Sequence, residues 1–301
     1  MGLSELTGSE VWCKREYLQR TGSFKERGAR SALSLLRRDE ARRGVIAASA
    51  GNHALGLAWH GRQLGIPVTV VVPRNASQLK INKCRQLGAH VVLHGESFDE
   101  TRVYALELSE EWGLAYLPPF DDVRVIAGQG TLALELLEQV PEFDAVIVPV
   151  GGGGLLAGVV TVLRSLRPEV QVVGVEPEHA ACFTKALQHG GPVKVETTAT
   201  LADGLAVAEA GRVTYANAAP WVDDVVTVNE EELGEAIAVL AREENAVVEG
   251  AGAAGLAALL SGKVPSLSGK RVVLPLTGGN MDAEVHARLV AEFGVRERVA
   301  A

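Results

Sequence analysis

One lysine stands in a setting that suits reaction at its amine. Lys25 lies in the stretch TGSFKERGA, between the aromatic residue Phe24 and the charged pair Glu26 and Arg27, with glycines close by on either side. A lysine amine can form a covalent bond to a carbonyl group or remove a proton when its surroundings lower its pKa. Most lysines among polar residues are solvated surface cations, so Lys25 is a candidate only if other motifs need an amine.

A second candidate is the run of glycines from Gly151 to Gly154. It follows the apolar segment DAVIVPV and precedes LLAGVVTVLRSL, which has helical periodicity. Such a loop exposes backbone N–H groups beside a helix N-terminus, where anions bind. Four glycines in succession exceed the need of a simple strand-to-helix turn, so the run predicts a phosphate-binding loop.

The sequence around the glycine run leaves the owner of that phosphate open. Gly152, Gly154 and Ala157 fit a degenerate dinucleotide fingerprint, and Glu176 lies at about the distance expected of a ribose-binding acid. A nicotinamide-dependent oxidoreductase is therefore one alternative. A P-loop nucleotide site is excluded, because no Gly-Lys-Ser/Thr follows the glycines.

Strands and helices must bring these loops together in the fold. Along the chain, segments with strand patterns alternate with segments of helical period. Short segments such as GVIAAS, VTVVV, HVVL and VQVVGVE each precede a longer segment of helical period. This alternation predicts an α/β fold with parallel sheets and helices on both faces. Ligands bind at the carboxyl ends of such strands, and we expect glycine-bearing loops there at residues 49–54, 128–131, 151–154 and 277–280.

The composition is that of a globular protein with a small-molecule ligand. The chain has 301 residues, of which 47% are hydrophobic, and a formal net charge of −8. Its basic residues are scattered, so the sequence predicts no surface for nucleic acid or a membrane. The three cysteines form no close pair and indicate neither a disulfide framework nor a zinc site. No secretory signal pattern occurs, and we expect a cytoplasmic protein.

One cofactor would use Lys25, the glycine run and the loops at 49–54 and 277–280 together. Pyridoxal phosphate needs a lysine, a phosphate cradle, a donor beside its phenolic oxygen and a partner for its ring nitrogen. The motifs TGSFKERGA, SAGNHA, GGGGL, TLADG, EGAGA and TGGN occur here in one order. The order of these motifs resembles that of the fold-type II pyridoxal-phosphate enzymes of the threonine/serine dehydratase family. The resemblance extends from about Leu3 to Asn280.

This resemblance implies a role for each motif. Lys25 would form the Schiff base, and Phe24 would lie against the cofactor ring. Asn52 would donate to the phenolic oxygen, and Thr277 would face the pyridine nitrogen. The phosphate would be held by Gly151, Gly152, Gly153, Gly154 and Leu155. The substrate carboxylate would be received by Ser49, Ala50, Gly51, Asn52 and His53.

The resemblance also implies an architecture of the tryptophan synthase β-like type. We expect a small domain at residues 44–120 and a large, discontinuous domain at 1–43 and 121–301, with the cofactor in the cleft between them. The family is commonly dimeric, so a homodimer is expected. Family members also have a helix and a Thr-Pro-Leu segment upstream of the position that corresponds to residue 1.

The implied reaction is the deaminating dehydration of a β-hydroxy amino acid, L-threonine and/or L-serine, to a 2-keto acid and ammonia. Ala50 stands where serine racemases have a second serine, which disfavours racemisation. Cys182 stands where relatives with a cation site have an acidic residue near Glu176, so we expect no metal. Another fold-type II lyase, a β-replacement synthase and the nicotinamide enzyme stay as alternatives.

Overall fold

The structure is a computed structural model that describes residues 2–76, 78–140 and 142–294. Its strands are β1 (Glu10–Lys14), β2 (Val45–Ala48), β3 (Val68–Val72), β4 (His90–Leu93), β5 (Ala115–Tyr116), β6 (Ala145–Pro149), β7 (Gln171–Pro177), β8 (Asp224–Val228) and β9 (Arg271–Pro275).

Helices alternate with these strands. They are α1 (Leu3–Thr7), α2 (Lys25–Ser34), α3 (Arg38–Arg43), α4 (Asn52–Leu64), α5 (Gln78–Gln86), α6 (Phe98–Trp112), α7 (Val123–Gln139), α8 (Gly154–Leu166), α9 (Cys182–His189), α10 (Arg212–Ala218), α11 (Glu230–Glu244), α12 (Gly250–Leu260) and α13 (Ala283–Phe293).

The strands form two parallel sheets. The larger sheet has the order β1-β9-β6-β7-β8, and the smaller has the order β4-β3-β2-β5. Strands β3 and β6 are buried along their whole length, because helices cover both faces of each sheet. The predicted α/β fold with parallel sheets is confirmed. The smaller sheet lies within residues 45–116, while the domain boundaries at 44 and 120 stay a prediction.

Helix α2 connects the two sheets. Helices α7 and α8 pack on one face of the larger sheet, and α11 and α12 pack on the other. Helix α4 packs on one face of the smaller sheet, opposite α6. Because α2 packs against both α4 and α7, its first residue, Lys25, lies at the junction of the two layered units.

One predicted loop is wrong. Residues 128–131, GQGT, lie inside α7, and their glycines allow close helix packing instead. A Cβ atom at Gly128 would lie 2.4 Å from the carbonyl oxygen of Arg27 in α2. A Cβ atom at Gly158 in α8 would lie 2.6 Å from the backbone nitrogen of Gly130. The motif therefore brings α7 into contact with α2 and α8.

The long uncharged segment at residues 145–163 is divided between a strand and a helix. Its first part is β6, and its last part is within α8, with the glycine run between them. Among the helices of the described residues, none combines the length and apolar character needed to cross a bilayer.

Candidate active site

A cavity of about 1180 Å³ opens where the carboxyl ends of strands from both sheets meet. Its volume exceeds the range of about 300–1,000 Å³ that is usual for small-molecule pockets. Every site residue implied by the family resemblance lines it: Phe24, Lys25, Ser49, Ala50, Gly51, Asn52, His53, Gly151, Gly152, Gly153, Gly154, Leu155 and Thr277.

Hydrogen bonds to distant parts of the chain hold Lys25 beside this cavity. Phe24 donates its backbone N–H to the carbonyl of Thr277 at 2.9 Å, which ties the start of α2 to the end of β9. The Lys25 Nζ atom donates to the carbonyl of Pro119 at 2.9 Å. Burial lowers the pKa of Lys25 to about 8, an effect opposed by the negative charge of Glu249. At pH 7.4 about a fifth of this amine is therefore neutral, against about one part in a thousand for an ordinary lysine.

The glycine run forms a turn that side chains could not fit. Gly153 has a φ of +90°, in the left-handed region that favours glycine, and no side chain caps the helix that follows. A Cβ atom at Gly152 would lie 2.4 Å from the ring of Phe120. Thr214 steadies the turn by donating its hydroxyl to the Gly152 carbonyl at 2.6 Å. The free N–H groups of the first turn of α8 suit an anion.

The loop before α4 offers a second helix N-terminus to the same cavity. The Ser49 hydroxyl accepts from the backbone N–H of Gly51 at 3.3 Å, and no side chain caps α4. His53 is buried, with Nε2 at 3.1 Å from the carbonyl of Leu117. Burial, followed by the charge of Lys25, lowers the pKa of His53 to about 3. His53 is therefore neutral and contributes no charge to substrate binding.

Asn52 is held by two residues from the C-terminal part of the chain, Glu249 and Asn280. Its Nδ2 donates to Glu249 Oε1 at 2.6 Å, and its Oδ1 accepts from Asn280 Nδ2 at 2.8 Å. Burial, then the charge of Asp203, raises the pKa of Glu249 to about 7. The sequence motif EGAGA supports a structural role for Glu249 and a role near the cofactor equally. Asn280 has no assigned role, although it ends the TGGN motif.

Glu176 holds the start of helix α9 in this arrangement. Its carboxylate is fully buried and accepts from the backbone N–H groups of Phe183 and Thr184 at 2.7 and 2.8 Å. The Thr184 hydroxyl also donates to it at 2.7 Å. Its two oxygens therefore cap the start of α9. The described residues contain no cluster of three or more His, Cys, Asp and Glu side chains that could hold a metal.

The sequence matches a known protein family over nearly its whole length. Residues 1–278 match the model of a family described as "Pyridoxal-phosphate dependent enzyme". The chain belongs to this family. The dinucleotide interpretation of the glycine run is therefore wrong, in agreement with the burial of Glu176. The chain is a pyridoxal-phosphate enzyme, as its motifs predict.

Individual relatives are similar over most of the chain. The L-threonine ammonia-lyase of Thermotoga maritima is 46% identical over 288 residues, which cover 96% of this chain and 71% of that protein. A catabolic L-threonine dehydratase of Escherichia coli is 42% identical, covering 93% of this chain and 85% of that protein. The processed form of threonine deaminase isoform 2 from Solanum lycopersicum superimposes with a TM-score of 0.92 at 41% identity, covering 98% of this chain and 86% of that one. The predicted fold-type II class is confirmed.

The cavity has the chemistry that this cofactor requires. An amine with a lowered pKa, Lys25, shares the space with a glycine turn in which a Cβ atom at Gly152 would collide with Phe120. The amide of Asn52 and the buried hydroxyl residue Thr277 line the same space. The residues present therefore fit pyridoxal phosphate.

Proposed function

We propose that this enzyme is a dehydratase that converts L-threonine and/or L-serine to the 2-keto acid and ammonia. The observation that carries the proposal is the presence of the Lys25 amine, the glycine cradle and the uncapped start of α4 in one cavity. The relatives named as threonine ammonia-lyases and dehydratases, at 42–46% identity, support the same reaction.

The cofactor would be held by residues from both sheets. Lys25 would bind it covalently, with Phe24 against the ring. The phosphate would bind the backbone of Gly151, Gly152, Gly153, Gly154 and Leu155. Asn52 would donate to the phenolic oxygen, and Thr277 would meet the ring nitrogen. When bound, pyridoxal phosphate supplies an electron sink for negative charge at the substrate Cα.

The protein would supply orientation and proton transfer. The N–H groups that open α4, in the loop Ser49, Ala50, Gly51, Asn52 and His53, would bind the substrate carboxylate. The substrate amine would displace Lys25 Nζ, and the freed Lys25 amine would then remove the α-proton, for which its lowered pKa is suited. The β-hydroxyl would then leave with a proton as water, Lys25 would displace the enamine product, and hydrolysis of the released enamine would yield the 2-keto acid and ammonia.

Two residues favour dehydration over other reactions of the family. Thr277 offers a neutral hydroxyl, which stabilises a protonated pyridine ring less than a carboxylate would. Ala50 carries no group that could return a proton from the opposite face, as a racemase requires. Elimination from a short-lived carbanion suits both features.

We also propose a cytoplasmic homodimer. Leu18 and Val247 have exposed fractions of 68% and 48%, which suits burial against a second copy. Both lie near Tyr17: Leu18 follows it, and Gly279 packs between Tyr17 and the backbone of Val247.

The proposal is tested by keto-acid release across a panel of 3-hydroxy amino acids. Wild-type protein should release keto acid from threonine or serine, and Lys25→Ala should lower kcat by about 10³-fold or more, because the base is lost. Borohydride should trap the cofactor on residue 25 of the wild type.

Lys185→Ala, which removes an exposed lysine on α9, is the matched control and should keep the wild-type rate. Full activity of Lys25→Ala would contradict the proposal, and product formed only with an added nucleophile would indicate a β-replacement synthase.

A further inference from the structure

Asn280 uses all of its side-chain hydrogen-bonding groups. Its Nδ2 donates to the carbonyl of Thr21 at 2.7 Å and to Asn52 Oδ1 at 2.8 Å. Its Oδ1 accepts from Lys83 Nζ at 2.8 Å. The side chain is half-buried and lies where the first turn of α4 meets the end of the TGGN segment.

The orientation of the Asn280 amide is fixed from both ends. A backbone carbonyl such as that of Thr21 can only accept a hydrogen bond, and the ammonium of Lys83 can only donate one. Reversing the amide would place two acceptors together at Thr21 and two donors together at Lys83. Asn280 therefore presents an N–H group, and not an oxygen, to Asn52.

The orientation of the Asn280 amide determines that of the Asn52 amide. Because Asn280 donates, Asn52 must present Oδ1 to it, and Asn52 Nδ2 must then point toward Glu249. One N–H of Asn52 is taken by Glu249 Oε1 at 2.6 Å. The other N–H stays available to a molecule in the cavity that Asn52 lines.

We propose that Asn280 is a positioning residue that keeps the Asn52 amide in the orientation that offers an N–H group to the bound cofactor. The proposal rests on the proposed function, in which Asn52 donates to the phenolic oxygen. Asn280 acts through Asn52 and does not itself line the cavity.

The Asn280→Asp variant tests the hydrogen-bond donor of residue 280 with little change in side-chain size. Asn280→Asp has nearly the same shape, but it has only acceptors and cannot donate to Asn52 Oδ1 or to the Thr21 carbonyl. The Asn52 amide would then turn its Nδ2 toward residue 280, leaving two oxygens facing each other at Glu249. The N–H group facing the cofactor loses its fixed position.

The experiment measures the cofactor itself as well as turnover. We expect Asn280→Asp to shift the absorption maximum of bound pyridoxal phosphate and to weaken its binding about tenfold, which corresponds to one hydrogen bond. Lys83→Met is the matched control. It removes the other contact of Asn280 but leaves the Thr21 carbonyl to fix the amide, so the spectrum should stay that of the wild type and affinity should change less than about twofold.

Thermal unfolding of the same proteins separates positioning from folding. A purely structural role predicts a lower Tm for Asn280→Asp with an unchanged cofactor spectrum, and that result would overturn the inference. A shifted spectrum in Lys83→Met equal to that in Asn280→Asp would also overturn it. If wild-type protein bound no cofactor at Lys25, the proposed function would fail instead, so the two failures are distinguishable.

Discussion

At the scale of single residues, the cavity keeps three ionisable groups away from their usual protonation behaviour. Burial lowers the pKa values of Lys25 and His53 and raises that of Glu249. Each shift favours the neutral form, as desolvation requires. A neutral Lys25 can act as a nucleophile or base, and a neutral His53 adds no positive charge beside it. Local burial thus prepares the lysine for reaction before any ligand arrives.

The pKa of Lys25 predicts how the apoprotein captures its cofactor at different pH values. Only the unprotonated amine reacts, so the rate of covalent capture should rise about tenfold per pH unit below pH 8 and level off above it. A lysine with an ordinary pKa would show a rate that rises until about pH 10. Absorbance of the bound cofactor after mixing with apoprotein measures this rate.

The matched reference for this pH profile is lysine with a blocked α-amino group, Nα-acetyl-lysine, in place of protein. A protein profile that keeps rising above pH 9, as that of Nα-acetyl-lysine does, would show that Lys25 is solvated and would contradict the lowered pKa. Borohydride reduction at each pH, followed by mapping of the adduct, ties the signal to residue 25.

At the scale of elements, the position of α2 depends on glycines in α7. Gly128 lies against the backbone of Arg27, so Gly128→Ala would force α7 away from the helix that begins with Lys25. We expect a loss of about 1–3 kcal/mol in the free energy of unfolding, as for other overpacked sites, together with a lower kcat. Chemical denaturation and keto-acid release measure the two effects.

A glycine without close neighbours gives the control for that change. A Cβ atom at Gly191 would have no neighbouring atom within 4 Å, and the residue has no positive φ. Gly191→Ala should therefore leave stability within about 0.5 kcal/mol of the wild type. Equal stability of both variants would show that α2 and α7 do not depend on this close contact.

The same glycines show where sequence patterns are insufficient. GQGT has the composition of a loop, and only the packing of α7 against α2 and α8 reveals it as part of a helix. Strands β1 and β8 lie at the edges of the larger sheet and are only partly buried, and charged or polar residues bound or interrupt their short apolar stretches. The central βα units, whose strands are buried on both sides, were predictable.

Some residues of the site are likewise predictable from the sequence, and others are recognised only in the folded structure. Lys25, Asn52 and the glycine run belong to short motifs of consecutive residues, so the sequence alone predicts them as site residues. The contact between Asn280 and Asn52 joins residues 228 positions apart, and no local pattern indicates which way either amide points. Phe120, which requires glycine at 152, is likewise recognised only from the folded arrangement.

At the scale of the whole molecule, ion pairs cross the cavity between the two layered units. Lys194, in the segment after α9, pairs with Asp99 at the start of α6, and Lys80 in α5 pairs with Asp203 at 2.9 Å. The four side chains have exposed fractions between 35% and 65%. Such pairs contribute about 0–1 kcal/mol each and weaken as salt is added. They therefore link the two layered units only weakly.

Removing one of these pairs should speed the loss of cofactor without unfolding the protein. We expect Asp99→Asn to increase the release rate about two- to fivefold at low salt, because the pair with Lys194 no longer holds the units together. Salt should speed release from the wild type more than from the variant, since salt screens a pair that the variant lacks. Absorbance after rapid desalting at several salt concentrations measures release. Glu178, which is about as exposed as Asp99, pairs with Lys263 within the larger unit, and Glu178→Gln should behave as the wild type. Equal salt dependence in wild type and Asp99→Asn would show that this pair does not control opening of the cavity.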